Sequence, residues 1–281
     1  MRVDAASSSG KERCSVALGL VVHLAARFTC QHRDVAGNDW VNDRRPVRRV
    51  DRTAEAPQDL SAWPLTVPAV AQLLDQGLEL ANGVTFLVGE NGSGKSTLVE
   101  AVAGAYGLNV EGGTPYGRHQ TRESESPLAS WLQLTRGLGG GRWGFFLRAE
   151  SMHGYYTYLE REAVGNGQRY HEMSHGESFL EVIAANLNSR GLYCLDEPEA
   201  ALSFSSVLAL IGTLDQLARA GSQVLCATHS PILCALPGAR ILEVGDWGLR
   251  EAVWDDLLLV EHYRSFLAGP GRYLRHVLDQ S

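Results

Sequence analysis

The run GENGSGKS, Gly89 to Ser96, constrains the fold of this chain more than any other eight residues. It satisfies G-x-x-x-x-G-K-[ST] at every fixed position, and its surroundings suit the motif. The apolar stretch Val84 to Val88 before it reads as a buried strand, and LVEAVAGAYG after it reads as a helix ending near Gly104 or Gly107. Gly89, Gly92 and Gly94 let the backbone curl so that successive N–H groups face an anion. A helix beginning at Lys95 adds the partial positive charge of its N-terminus. Lys95 then offers a compact charge to the β- and γ-phosphates of a nucleotide, and Ser96 a hydroxyl to Mg²⁺. Lysine usage sharpens the point. The chain has two lysines, Lys11 and Lys95, and its remaining basic side chains are all arginine. A lysine kept in mid-chain marks a place that needs an ammonium and not a planar fork.

Two further stretches carry chemistry. LYCLDEPEAAL (192–202) reads as an apolar strand ending in Asp196-Glu197. An acid at that strand end, beside a phosphate loop, can hold Mg²⁺. Glu197, one residue on, can orient and partly deprotonate an attacking water. CATHSPIL (226–233) places His229 just past another buried strand. Its offset of 33 residues from Asp196, one helix and one strand later, puts it at the tip of the neighbouring strand. A fourth stretch, EMSHGESFL (172–180), is a polar turn running into an apolar pattern, with Ser174 as a helix-capping serine.

Around these motifs, strands alternate with helices, which predicts an α/β fold with a largely parallel central sheet. LELANGVTFLVG (78–89) carries a tight-hairpin signal at Asn82-Gly83. Strands are expected at 142–151, 191–196, 223–228 and 240–245, with a short apolar element at 130–135. C-terminal helices are expected from an Asp255 cap and after Pro270. Residues 1–55 are expected to form a flexible or loosely attached basic arm. The first 53 residues hold ten Lys/Arg against six Asp/Glu, although the whole chain has a net charge of −7. That overall charge gives no general reason to expect a nucleic-acid or membrane surface. Five cysteines without a CxxC fit reduced thiols in a cytoplasm. CSVALGLVVHLAARF (14–28) faintly imitates a signal peptide but is interrupted by His23, and no apolar run reaches the roughly 18 residues of a membrane span.

In this order, GENGSGKST, MSHGE, LYCLDEP, EAALS and ATHS make a sequence that resembles the ATP-binding cassette (ABC) superfamily. More narrowly it resembles stand-alone bacterial ATPases of the ABC/AAA type, related to the heads of chromosome-maintenance and DNA-repair proteins. The likeness runs from about Leu65 to the C-terminus. It implies a P-loop fold of the ABC type, with a small antiparallel β part and a short helical subdomain inserted at about 108–188 of an ATPase domain spanning 56–281. It makes Gly89, Glu90, Asn91, Gly92, Ser93, Gly94, Lys95, Ser96 and Thr97 the Walker A loop that holds ATP. Leu192–Glu197 becomes Walker B, Glu199–Ser203 the D-loop, and His229 the switch histidine. Met173 to Glu177 takes the place of the LSGGQ signature, keeping Ser174 and Gly176, while His175 and Glu177 depart from it. Through that signature the resemblance implies that Ser174 and Gly176 reach the γ-phosphate bound by an opposite subunit. The family's Q-loop glutamine is missing after the strand at 143–148, and Glu150 stands nearest as a metal ligand beside Ser96 and Asp196. For the adenine-stacking aromatic, Trp63 and Tyr106 are both available, with core packing as the competing role of each.

The expectation is a cytoplasmic Mg²⁺-dependent ATPase that closes into a head-to-tail homodimer around two ATP molecules and drives an unidentified protein partner. A permease-bound transporter subunit, a DNA-maintenance ATPase and a non-hydrolysing sensor or antiphage component stay open beside it. The stretch 98–172 is too short and too broken by Gly and Pro for a long coiled coil.

Overall fold

The computed structural model describes residues 43–57, 59, 61–109, 126–138, 141–149, 183 and 189–278. In chain order its elements are β1 (Arg49–Arg52), α1 (Pro68–Gln76), β2 (Leu78–Glu79), β3 (Gly83–Val88) and α2 (Lys95–Tyr106), then β4 (Leu132–Thr135), β5 (Gly144–Arg148) and β6 (Leu192–Asp196). There follow α3 (Phe204–Arg219), β7 (Gln223–Thr228), β8 (Arg240–Gly245), β9 (Gly248–Ala252), α4 (Leu258–Ala268) and α5 (Pro270–Leu278).

The larger sheet has the order β5-β6-β7-β3-β8-β9. Its first five strands run parallel and β9 closes the edge antiparallel to β8. Parallel strands need a helix-bearing crossover, so both faces of such a sheet are covered and its strands read as continuous apolar runs. The side-chain alternation sorts them. Leu87, Cys194, Leu225 and Ala227 pack on the face covered by α1 and α2. Phe86, Tyr193, Leu195, Val224 and Cys226 pack on the opposite face, with Val207, Leu210 and Leu214 of α3 and Val260 of α4. Burial pushes the thiols of Cys194, Cys226 and Cys234 up, the last to about 12, so they are inert packing groups.

A smaller antiparallel sheet, β2-β1-β4, leans on the same core. The buried Gln223 amide joins the two sheets. Its Nε2 donates to the carbonyls of Val47 and Ala81, both at 2.8 Å, and its Oε1 accepts from Val47 N–H at 2.7 Å.

Three expectations change. The hairpin at Asn82-Gly83 does not form, because β2 pairs with β1 while β3 enters the large sheet between β7 and β8. The positive φ of Gly83 turns the chain from one sheet to the other. Residues 43–55 are not an arm: β1 is the central strand of the small sheet, and Val47 and Val50 are fully buried. Four of its five arginines are engaged within it. Arg45 and Arg48 pair with Asp43, Arg49 with Asp51, and Arg52 donates to the carbonyls of Ala56 and Pro57. The Arg45 hydrogen bonds hold the Asp43 carboxyl below its ordinary range. Residues 1–42 lie outside the described residues, as do most of 108–188 and therefore the expected helical subdomain. Finally, Asp255 does not cap α4. It sits in a short 3-10 turn and pairs with Arg264 in α4, while Leu257 is the capping position.

Candidate nucleotide site

Three segments meet at the C-terminal ends of β3, β6 and β7, which are neighbours in the order β6-β7-β3. After β3 the chain turns through Gly89 to Gly94 into α2. A Cβ on Gly89 would lie 2.2 Å from the Val244 carbonyl oxygen at the end of β8, so only glycine fits. Gly94 is the left-handed residue at the helix start, with φ of 100°. The Lys95 side chain folds back over the loop, and its Nζ donates to Glu90 O at 2.8 Å. Ser93 Oγ is buried and lacks a hydrogen-bond partner among the described residues. Such an orphaned hydroxyl over a ring of backbone donors suits a bound phosphate oxygen. Ser96 and Thr97 occupy the first turn of α2, half-buried.

Lys95 is 3% exposed, and burial lowers its pKa against the opposing pull of Glu197, Asp196, Glu199 and Glu90. The opposing carboxylates keep the ammonium worth holding there, and an incoming polyphosphate would reinforce them.

Asp196 ends β6 and is 4% exposed. Glu197 follows in the left-handed region at φ 50°, the one non-glycine residue with positive φ among those described. That conformation costs about 1–2 kcal/mol in an ordinary residue and clusters at functional sites. Its N–H donates to Ala227 O at 3.0 Å, which ties the turn after β6 to β7. The Glu197 carboxylate is left half-exposed, with Oε1 3.1 Å from His229 Nε2.

His229 is fixed from behind by a residue that the sequence did not single out individually. Glu199, in the 3-10 turn Pro198–Ala201, accepts on Oε1 from the His229 N–H at 2.6 Å and from the Thr228 hydroxyl at 2.6 Å. Thr228 Oγ1 in turn accepts from Ser230 N–H at 3.0 Å. The turn after β6 thus grips the turn after β7. Arg148, at the end of β5, was also missed. Its Nε is 3.3 Å from Asp196 Oδ2, and its Nη1 donates to Glu100 Oε2 at 3.2 Å. Arg148 is the register partner of Asp196, four residues after the glycine that opens β5.

The site therefore brings together Gly89 to Thr97, Asp196, Glu197 and His229. Ser174, Gly176 and Glu150 lie outside the described residues. Of the two aromatics, Tyr106 belongs to the core: its OH donates to Gly141 O at 2.7 Å, and the Arg136 guanidinium stacks 4.3 Å over its ring. Trp63 is 61% exposed, so core packing does not account for it. Four residues later Val67 abuts Gly94, where its Cγ1 would meet an added Cβ at 2.5 Å. Val67 thus lies against the phosphate loop.

A hydroxyl at Ser96 and a carboxylate at Asp196 are hard oxygen ligands of the kind Mg²⁺ takes. Among the described residues no cluster of three or more His, Cys, Asp or Glu could hold a metal ion alone.

Comparison with known proteins gives a consistent picture. Residues 65–126 match a model described as an AAA domain. Residues 156–235 match one described as "AAA domain, putative AbiEii toxin, Type IV TA system". The chain is 32% identical over 189 residues to the cytochrome c biogenesis ATP-binding export protein CcmA of Rhizobium etli, covering 60% of this chain and 85% of that protein. It is 28% identical over 204 residues to the ribose import ATP-binding protein RbsA 2 of Streptomyces coelicolor, covering 64% of this chain but 39% of that longer protein. Among solved structures, a putative metal-chelate type ABC transporter in an inward-facing conformation aligns with a TM-score of 0.45 at 16% identity, over 79% of this chain and 88% of that one.

Proposed function

The chain belongs to the ATP-binding cassette superfamily and is an ATP-binding ATPase of that type, and from that premise we propose that it hydrolyses ATP with Mg²⁺ in a head-to-tail homodimer. The observation that carries the reading is the convergence of Lys95, Asp196, Glu197 and His229 on one sheet edge, with Glu197 and His229 within 3.1 Å. The loop N–H groups and the N-terminus of α2 bind and orient the β- and γ-phosphates, and Lys95 leaves Glu90 O to reach them. Ser96 and Asp196 would hold the metal, with Glu150 as a further ligand. When bound, Mg²⁺ neutralises charge on the transferring phosphoryl group. Glu197 takes the proton of the attacking water, and His229, positioned by Glu199, bridges Glu197 and the γ-phosphate. Ser174 and Gly176 of a second copy complete each site.

Support for the dimer comes from the surface next to the D-loop. Phe204 and Leu208, one turn apart at the start of α3, are exposed although large and apolar. They directly follow Ser203 at the edge where a second copy would close. A Glu197→Gln variant is expected to accumulate an ATP-bound dimer in gel filtration. Persistence as a monomer at high protein and ATP concentration counts against the composite site. Ser174→Arg should keep ATP binding and lose turnover.

A second reading, the ATP-binding subunit of a transporter, is favoured by the names of its relatives, an export and an import ATP-binding protein. Among the described residues no helix is long and apolar enough to cross a membrane. Co-purification with a permease from detergent-solubilised membranes decides between the two. A DNA load loses its main argument, since Arg45, Arg48, Arg49 and Arg52 are engaged internally.

A further inference from the structure

Arg148 is where the site departs from a plain phosphate-loop arrangement. The end of β5 lies beside the end of β6, with Arg148 paired in register to Asp196. Its guanidinium spans two carboxylates on different elements, Asp196 Oδ2 at 3.3 Å and Glu100 Oε2 at 3.2 Å on α2. Asp196 is almost wholly buried, whereas Arg148 keeps about a third of its side chain in solvent. A buried carboxylate at the mouth of a phosphate loop is costly without a counter-charge. Lys95 answers part of that need, but its Nζ is turned to Glu90 O. Arg148 stands against the same carboxylate at 3.3 Å.

We propose that Arg148 is a positioning residue that stands against Asp196 as an internal counter-ion until metal and nucleotide arrive, and is then released from it. The inference rests on the reading above that Asp196 serves the metal. Arginine suits the task because its planar fork addresses two carboxylates at once, and its charge does not titrate. The solvent-exposed side gives it a direction in which to move. The consequence is an ordered site. Asp196 and Glu100 are not left as a bare acidic pair that would take up a divalent cation without nucleotide, and cation binding is coupled to the phosphates that replace Arg148.

A merely structural pair between β5 and α2 would predict altered stability alone, so the test reads cation affinity. Mn²⁺ binding to the full chain without nucleotide is measured by electron paramagnetic resonance of the free ion. The variants are Arg148→Gln, Arg148→Lys, Asp196→Asn and Arg148→Gln/Asp196→Asn, each checked for a folded circular-dichroism spectrum. Arg148→Gln is expected to bind Mn²⁺ about ten-fold or more tightly than the natural chain, because a neighbouring positive charge is removed. Arg148→Lys, which keeps the charge and guards against loss of folding, is expected to stay within about three-fold of the natural chain. The gain should vanish in the double variant. Unchanged Mn²⁺ affinity in Arg148→Gln, or a gain that survives Asp196→Asn, overturns the proposal. The underlying reading fails separately: if Asp196→Asn leaves Mn²⁺ binding in the presence of ATP unchanged, Asp196 does not serve the metal.

Discussion

Replacing Glu199 with alanine should cost this protein both stability and turnover, and the two losses have one origin. One carboxylate oxygen accepts from the His229 N–H and the Thr228 hydroxyl, each at 2.6 Å. A hydrogen bond to a charged group contributes about 1.5–3 kcal/mol, and an orphaned buried donor costs about 1–3 kcal/mol. The two losses are unequal. Thr228 is fully buried, but its hydroxyl still accepts from Ser230 N–H and can rotate. The His229 N–H has no such recourse. Desolvation of the carboxylate itself offsets part of the gain in the natural chain. The net loss for Glu199→Ala is therefore expected at about 2–4 kcal/mol. Glu199→Gln keeps an acceptor at Oε1 and puts its NH₂ where Oε2 is buried without a partner among the described residues. Its cost should be about 1 kcal/mol. Urea unfolding followed by circular dichroism gives both values from the midpoints, provided the slope is unchanged. Turnover should fall about 100-fold in Glu199→Ala at saturating ATP, since a shift of about 1 Å in His229 is enough for that. An alanine variant within about 0.5 kcal/mol of the natural chain and equally active would refute the idea that Glu199 holds His229.

Trp63→Ala should weaken ATP binding about ten-fold, in the range measured for stacking of a base on an aromatic ring, and the natural chain should show Trp fluorescence quenching on ATP addition that this variant lacks. Unchanged affinity assigns the base to another surface. Gly89→Ala should abolish nucleotide binding in filter or calorimetric assays, because its Cβ would sit 2.2 Å from Val244 O; Gly107→Ala, with open space around its Cβ but a φ of 93°, should bind ATP normally while losing about 1 kcal/mol of stability. ATP affinity should also fall as pH rises through a value below the ordinary lysine 10.5, because burial lowers the Lys95 pKa and the bound state needs its charge. The sign for folding is opposite: the depressed Lys95 pKa makes this group's contribution to stability rise as pH rises through the same window. Calorimetric titrations from neutral to alkaline pH, with Lys95→Met as the flat control, check both the direction and the assignment.

The motifs that carry the site were legible because each needs a residue type that its position makes unusual. A glycine at 89 answers a backbone carbonyl 2.2 Å from where a Cβ would be, and a lone mid-chain lysine answers a polyphosphate. The five parallel strands of the large sheet were legible as apolar runs because both faces are buried, whereas the exposed edge strand β9 was not. What misled was local chemistry overruled by distant contacts. Asn82-Gly83 carries a hairpin signal, yet the flanking strands find better partners in two different sheets. The charged run before Arg52 reads as a solvated arm because the carboxylates and carbonyls that engage it, and the Gln223 amide that anchors Val47, are visible only in three dimensions. Arg148 and Glu199 were missed for the same reason. An arginine at a strand end and a glutamate after a proline are commonplace in sequence, and only register and distance show what they hold.

The most direct test of the central claim is phosphate release by the purified chain with Mg²⁺ and ATP, compared with Glu197→Gln under the same conditions. The natural chain is expected to turn over, and Glu197→Gln to bind ATP with unchanged affinity while its turnover drops about 100-fold or more. A Glu197→Gln chain that hydrolyses ATP at the natural rate would contradict the assignment of the general base, and with it the account of how this site works.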